Sequence, residues 1–350
     1  MLGVDRRALM VAWTVFLFAL GVALVYLMRQ TLVVFALAVF LAHLISPAVD
    51  LLERFAPRFA PRKLRLSRIA ALGIVYLLIL AASAAVLIPI GSKIGEQAAS
   101  LAARLPAAIQ QDPLAHLPLP IWLEEMRPRL TEILRERMQE LGQSVLPILS
   151  SAGQQILSGL GNLFSLILVP VLSFFIVKDS AVIRIAIVEA APKVRRALAE
   201  EILDDLHLLL IQYIRALVSL SAASFVSHAA VLSLMGVPYS ILLASLAAIL
   251  ELIPILGPLS AAVILLTVSA FAGYPHLLWI AVFLGAYRVF QDYVLNPYLM
   301  SSGVALHPLL VLFGVLAGEQ VAGIPGMFFS VPVMAALRVI LVRVRRARRA

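Results

Sequence analysis

The chain has 350 residues, 62% of them hydrophobic and only 13% charged, whereas about a quarter of the residues in an average soluble domain are charged. This composition predicts an integral membrane protein and excludes a soluble enzyme or binding domain. The absence of cysteine excludes disulfides, thiolate metal sites and cysteine nucleophiles. The net charge of +9 comes from clusters beside apolar runs, which is typical of membrane orientation, so we expect no nucleic-acid partner.

Apolar runs of about 20 residues are long enough to cross the hydrocarbon core of a bilayer as helices. Such runs predict an all-α polytopic protein with about eight transmembrane segments, at 8–28, 31–52, 69–90, 155–177, 207–235, 240–272, 277–296 and 305–341. We expect the first segment to be retained, because its apolar run is longer than that of a cleavable signal and a second span follows at once.

Three parts are predicted along the chain: residues 1–90 with the first three segments, an external helical region at 91–150, and a transport region at 151–350. In the external region, leucine and methionine recur at spacings of three and four between charged residues, which predicts an amphipathic helix near 123–141. Such helices could cap a pathway, provide an assembly surface, or simply lie on the membrane or the bundle.

Lysine and arginine collect in three places: the loop 54–68, the stretch 178–206 and the tail 338–349. Basic loops stay in the cytoplasm, so this distribution predicts that both termini are cytoplasmic. The lipid bilayer is the surrounding partner of such a protein.

The segments 240–272 and 305–341 are each interrupted by residues that break helices: Pro254, Gly257 and Pro258 in the first, and Gly318, Gly323, Pro325 and Gly326 in the second. Backbone without helical hydrogen bonds survives at membrane depth only inside protein or beside a cavity, so such breaks indicate a substrate or ion pathway. The pattern leaves open whether both segments cross the membrane or both turn back as re-entrant hairpins.

Charged residues inside the spans are the candidates for transport or coupling. Arg288 and Asp292 lie four residues apart on one helix face, where they form either a proton or cation site or a fixed structural clasp. Glu251 and Glu319 each lie at a break, where a carboxylate either completes an ion site or caps a half-helix. His228 is expected to be a packing or hydrogen-bonding residue.

Motifs of soluble enzymes are absent, including the phosphate-binding loop that ends in Lys and Ser or Thr, the HExxH pair and the GxSxG elbow. No two histidines have metal-ligand spacing. We therefore expect no enzymatic activity, no cofactor and no metal site.

Four stretches resemble the AI-2E family of transporters: PVLSFFIVKD at 170–179, YIRA at 213–216, ELIPILGP at 251–258, and the run from FQDYVLNP at 290 through GVALHPLLVLFGVLAGEQVAGIPGMFFSVPVMAALR at 303–338. The resemblance spans 155–341, and residues 1–150 match only in general layout. Ala216 departs from the glycine more often found there. The resemblance implies a bacterial inner-membrane carrier, named for export of the autoinducer-2 signal, that assembles as a homo-oligomer; some members are described as sodium or lithium ion/proton antiporters.

Three functions follow as hypotheses. A proton-coupled exporter of a small polar organic solute, such as autoinducer-2, needs a pathway lined by hydrogen-bonding groups, for which the candidates are Gln291, Tyr293, Asn296, Ser260 and Gln320. A cation/proton antiporter depends on one or two carboxylates, with Asp292 and Glu251 first. A membrane scaffold that transports nothing would use the breaks for packing alone.

Overall fold

The structure, a computed structural model, describes residues 6–59, 68–110, 124–140, 143, 163–299 and 306–348. Its helices are α1 (Arg6–Leu27), α2 (Arg29–Phe59), α3 (Arg68–Gln110), α4 (Arg127–Glu140), α5 (Leu163–Lys178), α6 (Ser180–Ala190), α7 (Arg196–Leu234), α8 (Ser240–Leu250), α9 (Leu256–Phe271), α10 (Leu277–Phe290), α11 (Asn296–Leu299) and α12 (Pro308–Ala347). A short 3₁₀ turn, Lys193–Arg195, precedes α7, and a π-helical turn, Gln291–Leu295, joins α10 to α11.

Six helical stretches among the described residues are long and apolar enough to cross a membrane: α1, α2, α3, α7, the α10–α11 unit and α12. Three shorter apolar helices, α5, α8 and α9, accompany them. Each predicted segment coincides with one or two of these helices, although residues 155–162 and 305 lie outside the described ranges. The predicted all-α polytopic class is confirmed.

The described helices of the 91–150 region pack on the bundle. Helix α3 continues unbroken through residue 91 to Gln110, and α4 contacts both α3 and α9. Ala98 and Leu101 of α3 and Met138 of α4 are buried in one cluster with α8 and α9. The proline-rich link at 113–120 and the helix-pattern positions Leu123 and Leu141 lie outside the described residues.

Helices α8 and α9 form a re-entrant hairpin, which we name hairpin A (residues 240–271). Its open end is tied together because the Tyr274 hydroxyl, just after α9, donates a hydrogen bond to the carbonyl of Met235, just before α8, at 3.0 Å. Eleven residues of α8 extend about 16 Å, roughly half the thickness of the hydrocarbon core. The chain therefore leaves hairpin A at the end where it entered, as a re-entrant segment would.

The tip of hairpin A is a tight and strained turn. Ile255 has φ 67° and ψ −60°, and the amide of Leu256 donates to the Pro254 carbonyl at 2.7 Å, which together define the rare γ-turn with positive φ. A β-branched residue in this region is an outlier. Position 257 requires glycine, because a Cβ there would lie 1.7 Å from the carbonyl oxygen of Leu250.

The range of α12 contains a sharp reversal of the chain. Its two helical arms, 308–322 and 324–347, form a second hairpin, which we name hairpin B (residues 308–347). It folds back at Gly323, where φ is 62°. A Cβ built on Gly318 would lie 2.3 Å from the Gly326 carbonyl oxygen, and one on Gly326 would lie 1.9 Å from that of Gly318. One turn farther from the tip, Gly314 faces side chains of the other arm, since a Cβ there would lie 3.0 Å from Met334 and 3.6 Å from Ser330. These pairs show two antiparallel arms in contact along a glycine seam.

The two hairpins open at opposite ends of α7. Hairpin A opens beside Met235, at the end of α7, whereas Arg343 near the end of hairpin B pairs with Glu201 and Asp205 in the first turns of α7, both at 2.6 Å. Since both broken segments turn back, the crossing alternative is wrong. Two hairpins return the chain to the same face twice, so the basic tail lies on the side where α7 begins.

Replacing Arg343 by alanine is expected to loosen the C-terminal arm of hairpin B from α7. The ion pairs are partly exposed, so the loss of stability should be small and should disappear at high salt, about 1 M, where the charges are screened. Thermal unfolding of the purified protein at low and high salt is the measurement. Arg346→Ala is the control, and equal melting of both variants at low salt would contradict the expectation.

Candidate functional site

A buried carboxylate and a buried amide meet at the tip of hairpin A. Glu251 follows the last residue of α8 and is 9% exposed, while Gln291 opens the π-helical turn and is 2% exposed. The Gln291 side-chain amide donates a hydrogen bond to Oε1 of Glu251. Because a buried polar group without a partner is costly, each of these side chains stabilises the position of the other.

Three further polar side chains lie in and around the π-helical turn: Arg288 in the last turn of α10, Asp292 in the turn itself and Asn296 at the start of α11. Arg288 Nε pairs with Asp292 Oδ2 at 2.8 Å, and the amide of Asn296 donates to Asp292 Oδ1 at 3.2 Å. This ion pair is partly exposed, with 43% of the Arg288 side chain and 39% of the Asp292 side chain accessible. Single π turns inside α-helices occur frequently at functional sites, since they change the direction in which successive side chains point.

Helix α7 supports the tip from the other side. The Ser221 hydroxyl donates to the Ala248 carbonyl in the last turn of α8 at 2.8 Å. Two turns along, His228 is buried, and its Nδ1 donates to the Ser224 carbonyl at 2.8 Å. The ring of His228 lies 4.8 Å from that of Tyr287, whose hydroxyl is buried beside Ser224 and Glu251.

The start of hairpin A is held by a helix from the N-terminal part of the chain. The backbone amide of Leu242, in the first turn of α8, donates to the side-chain oxygen of Gln97 in α3 at 2.8 Å. The first amides of a helix have no partner within it, so this side chain stabilises the start of α8. The depth of Glu251 thus depends on α3 and α7 together.

The structure brings together five of the predicted site residues: Glu251, Arg288, Gln291, Asp292 and Asn296. Ser260 lies in the second turn of α9 and is exposed, and Tyr293 is 79% exposed on the surface of the π turn. Glu319 and Gln320 lie at the tip of hairpin B, in a cavity that none of those five residues lines.

Several residues that contribute to this site did not stand out in the sequence. Ser221 and Ser224 look like ordinary small residues of a membrane helix, and Tyr287 like one more aromatic. Ser221, Ser224 and His228 are spaced by three and four residues, so they lie on neighbouring turns of one face of α7. This spacing is the sequence pattern that indicates a shared polar face. Gln97 carries no signal at all, because its partner is 145 positions away.

The arrangement can bind and release a proton or a cation at Glu251. A carboxylate this deep is unfavourable when charged and isolated, so its charge is tied to a proton, a cation or a nearby group. Gln291 stabilises either form by donating one hydrogen bond. Within the described ranges, no group of three or more histidine and carboxylate side chains could hold a metal ion.

Comparison with known proteins gives one matching family and several similar proteins. The profile of the family described as "AI-2E family transporter" matches residues 15–346. YueF of Bacillus subtilis, named as an unconfirmed transport protein, is 25% identical over 321 residues, which are 87% of this chain and 82% of YueF. YrrI of the same species, named likewise, is 24% identical over 65% of this chain, and the match covers 63% of YrrI, less than two thirds of its length. PerM of Escherichia coli K12, named as an unconfirmed permease, is 27% identical over 61% of this chain and 60% of its own.

Proposed function

Since the chain belongs to the AI-2E transporter family, we propose that it is a proton-coupled secondary transporter that exports a small polar organic solute such as the autoinducer-2 signal. The observation that carries the proposal is the contact between Glu251, at the tip of a re-entrant hairpin, and Gln291, in a π-helical turn. A titratable group on unwound backbone at mid-membrane depth is the arrangement by which secondary transporters couple a solute to an ion.

The proposed orientation has both termini in the cytoplasm of a bacterium. The basic residues near Arg195 and in the tail then lie inside, as the positive-inside rule requires. Hairpin A enters from the outside and hairpin B from the cytoplasm. The α1 span has none of its residues buried within the protomer, and its surface is available for lipid or for the neighbouring subunit of the proposed homo-oligomer.

A cation/proton antiporter is the second candidate, because Glu251 and Asp292 lie in one cluster beside the irregular backbone of the hairpin tip. The ion pair of Arg288 with Asp292 favours the organic solute, since it neutralises one of the two carboxylates that a cation would need. A scaffold without transport would not need a buried carboxylate at a strained turn, where both features are costly.

Proteoliposomes with purified protein and an internal pH dye test the proposal. We expect movement of labelled autoinducer-2 together with protons, with no requirement for sodium, lithium or potassium. Proton flux that depends on an alkali cation, without movement of the organic solute, would replace the exporter by the antiporter. Neither flux, from protein shown to be folded, would contradict both transport functions.

Asp292→Asn is expected to reduce this flux about tenfold, because Arg288 loses a charged hydrogen-bond partner next to Glu251. The initial rate of proton flux measures the effect. Asp50→Asn, at an exposed position in α2, is the matched control and should transport at the wild-type rate. Full activity of Asp292→Asn would assign the Arg288–Asp292 pair to structure alone.

A further inference from the structure

A polar cavity lies at the tip of hairpin B, separate from the Glu251 cluster. It has a volume of about 470 Å³ and opens where α1 passes into α2. Its lining comes from the first residues of α2 and from the turn of hairpin B: Arg29, Gln30, Val33, Glu319, Gln320, Val321, Ala322, Gly323 and Pro325. Two segments about 290 positions apart in the chain therefore form one chamber.

The cavity presents one cation and one anion that do not neutralise each other. Arg29 is half-buried, and its guanidinium lies 4.5 Å from the centre of the Tyr26 ring, which holds it in place. Among the described residues, neither Arg29 nor Glu319 takes part in an ion pair within 4 Å. Gln30 and Gln320 add side-chain amides, each of which both donates and accepts.

The charges divide the cavity into two kinds of subsite. A guanidinium presents parallel N–H donors that match the two oxygens of a carboxylate. A carboxylate such as that of Glu319 accepts from an ammonium group in turn. An inorganic cation would be repelled by Arg29, and a simple anion by Glu319.

We propose that this cavity binds a small zwitterion, a molecule with a carboxylate and an ammonium group on neighbouring carbons, such as an α-amino acid. Arg29 takes the carboxylate, Glu319 takes the ammonium group, and the two glutamines bond whatever polar atoms remain. The short side chains of Val33, Ala322 and Pro325 leave room for a small substituent. The inference goes beyond the proposed transport function, because it concerns binding at a different site and needs no proton coupling.

Titration calorimetry on the full-length protein in nanodiscs tests the inference. The ligands are L-alanine, L-serine and L-leucine, with two analogues of alanine: L-lactate, which lacks the ammonium group, and L-alaninol, which lacks the carboxylate. We expect at least one amino acid to bind, and lactate and alaninol to bind at least about tenfold more weakly than alanine, since each loses a charged hydrogen bond. No binding of the three amino acids, or equal binding of the analogues, would overturn the proposal.

Two variants identify the subsites by different readouts. Arg29→Gln should weaken both alanine and lactate by about tenfold or more, whereas Glu319→Gln should weaken alanine and leave lactate unchanged or tighter. Arg129→Gln and Glu132→Gln, on the exposed surface of α4, are matched controls and should bind alanine as the wild type does. If Arg29→Gln does not fold, Arg29→Lys keeps the charge without the fork and should bind alanine more weakly. Wild-type affinity in Glu319→Gln, or in the folded Arg29 variant, would overturn the proposal.

Discussion

Replacement of Glu251 by glutamine is expected to abolish proton-coupled transport while the protein remains folded. The two side chains have nearly the same shape, and the carbonyl oxygen of the new amide still accepts the hydrogen bond from Gln291. The variant cannot bind or release a proton at this position. Proton flux in proteoliposomes should fall to the rate of empty vesicles, and the melting temperature in detergent should stay near that of the wild type.

Gln291→Leu is the companion variant, in which we expect stability to fall while the titratable carboxylate of Glu251 remains. It removes the donor and leaves the Glu251 carboxylate buried without this partner, which should lower the free energy of unfolding by about 1 to 3 kcal/mol. Glu125→Gln, exposed before α4, is the control for removal of a carboxylate and should change neither property. Wild-type flux in Glu251→Gln would remove this residue from any coupling role.

Gly326→Ala is expected to separate the two arms of hairpin B. The added Cβ would lie 1.9 Å from the carbonyl oxygen of Gly318, and both sides of this contact are backbone, so neither can move away by rotating a side chain. The arms must shift apart, at a cost of about 3 kcal/mol. Unfolding of the purified variant by heat or detergent measures this loss, and Gly318→Ala should behave similarly.

Gly285→Ala in α10 is the matched control for this prediction. No atom lies within 4 Å of the position of its Cβ, and Gly285 is in a helix, where alanine is more favourable than glycine by about 1 kcal/mol. The two changes add the same methyl group to the same protein with opposite expected signs. Equal stability of Gly326→Ala and Gly285→Ala would contradict the close approach of the two arms of hairpin B.

The membrane class and the positions of the apolar segments were predictable, because they follow from composition and from the length of each run. The direction of the broken segments was not. Gly323 and Pro325 interrupt a helix in the same way whether the chain crosses or turns back, and only the contact of Gly318 with Gly326 distinguishes these outcomes. Breaks in a hydrophobic segment therefore predict irregular backbone. Whether the segment crosses or turns back depends on packing between residues that are distant in the chain.

The candidate site was predictable to the extent that its members are charged. Arg288 and Asp292 share a helix face, so their ion pair follows from a spacing of four. The contact of Glu251 with Gln291 joins positions 40 apart, and it requires both the turn of hairpin A and the π turn, neither of which has a periodic signature. Gln291 was expected among the polar residues of a pathway, and its place as the hydrogen-bond partner of Glu251 came from the fold.

The opposite openings of hairpins A and B have a consequence for how the protein can move. Each hairpin is fastened at its own end of α7, A by Tyr274 with Met235 and B by Arg343 with Glu201 and Asp205. Movement at one fastening therefore does not act directly on the other, which lies about 45 Å away along α7.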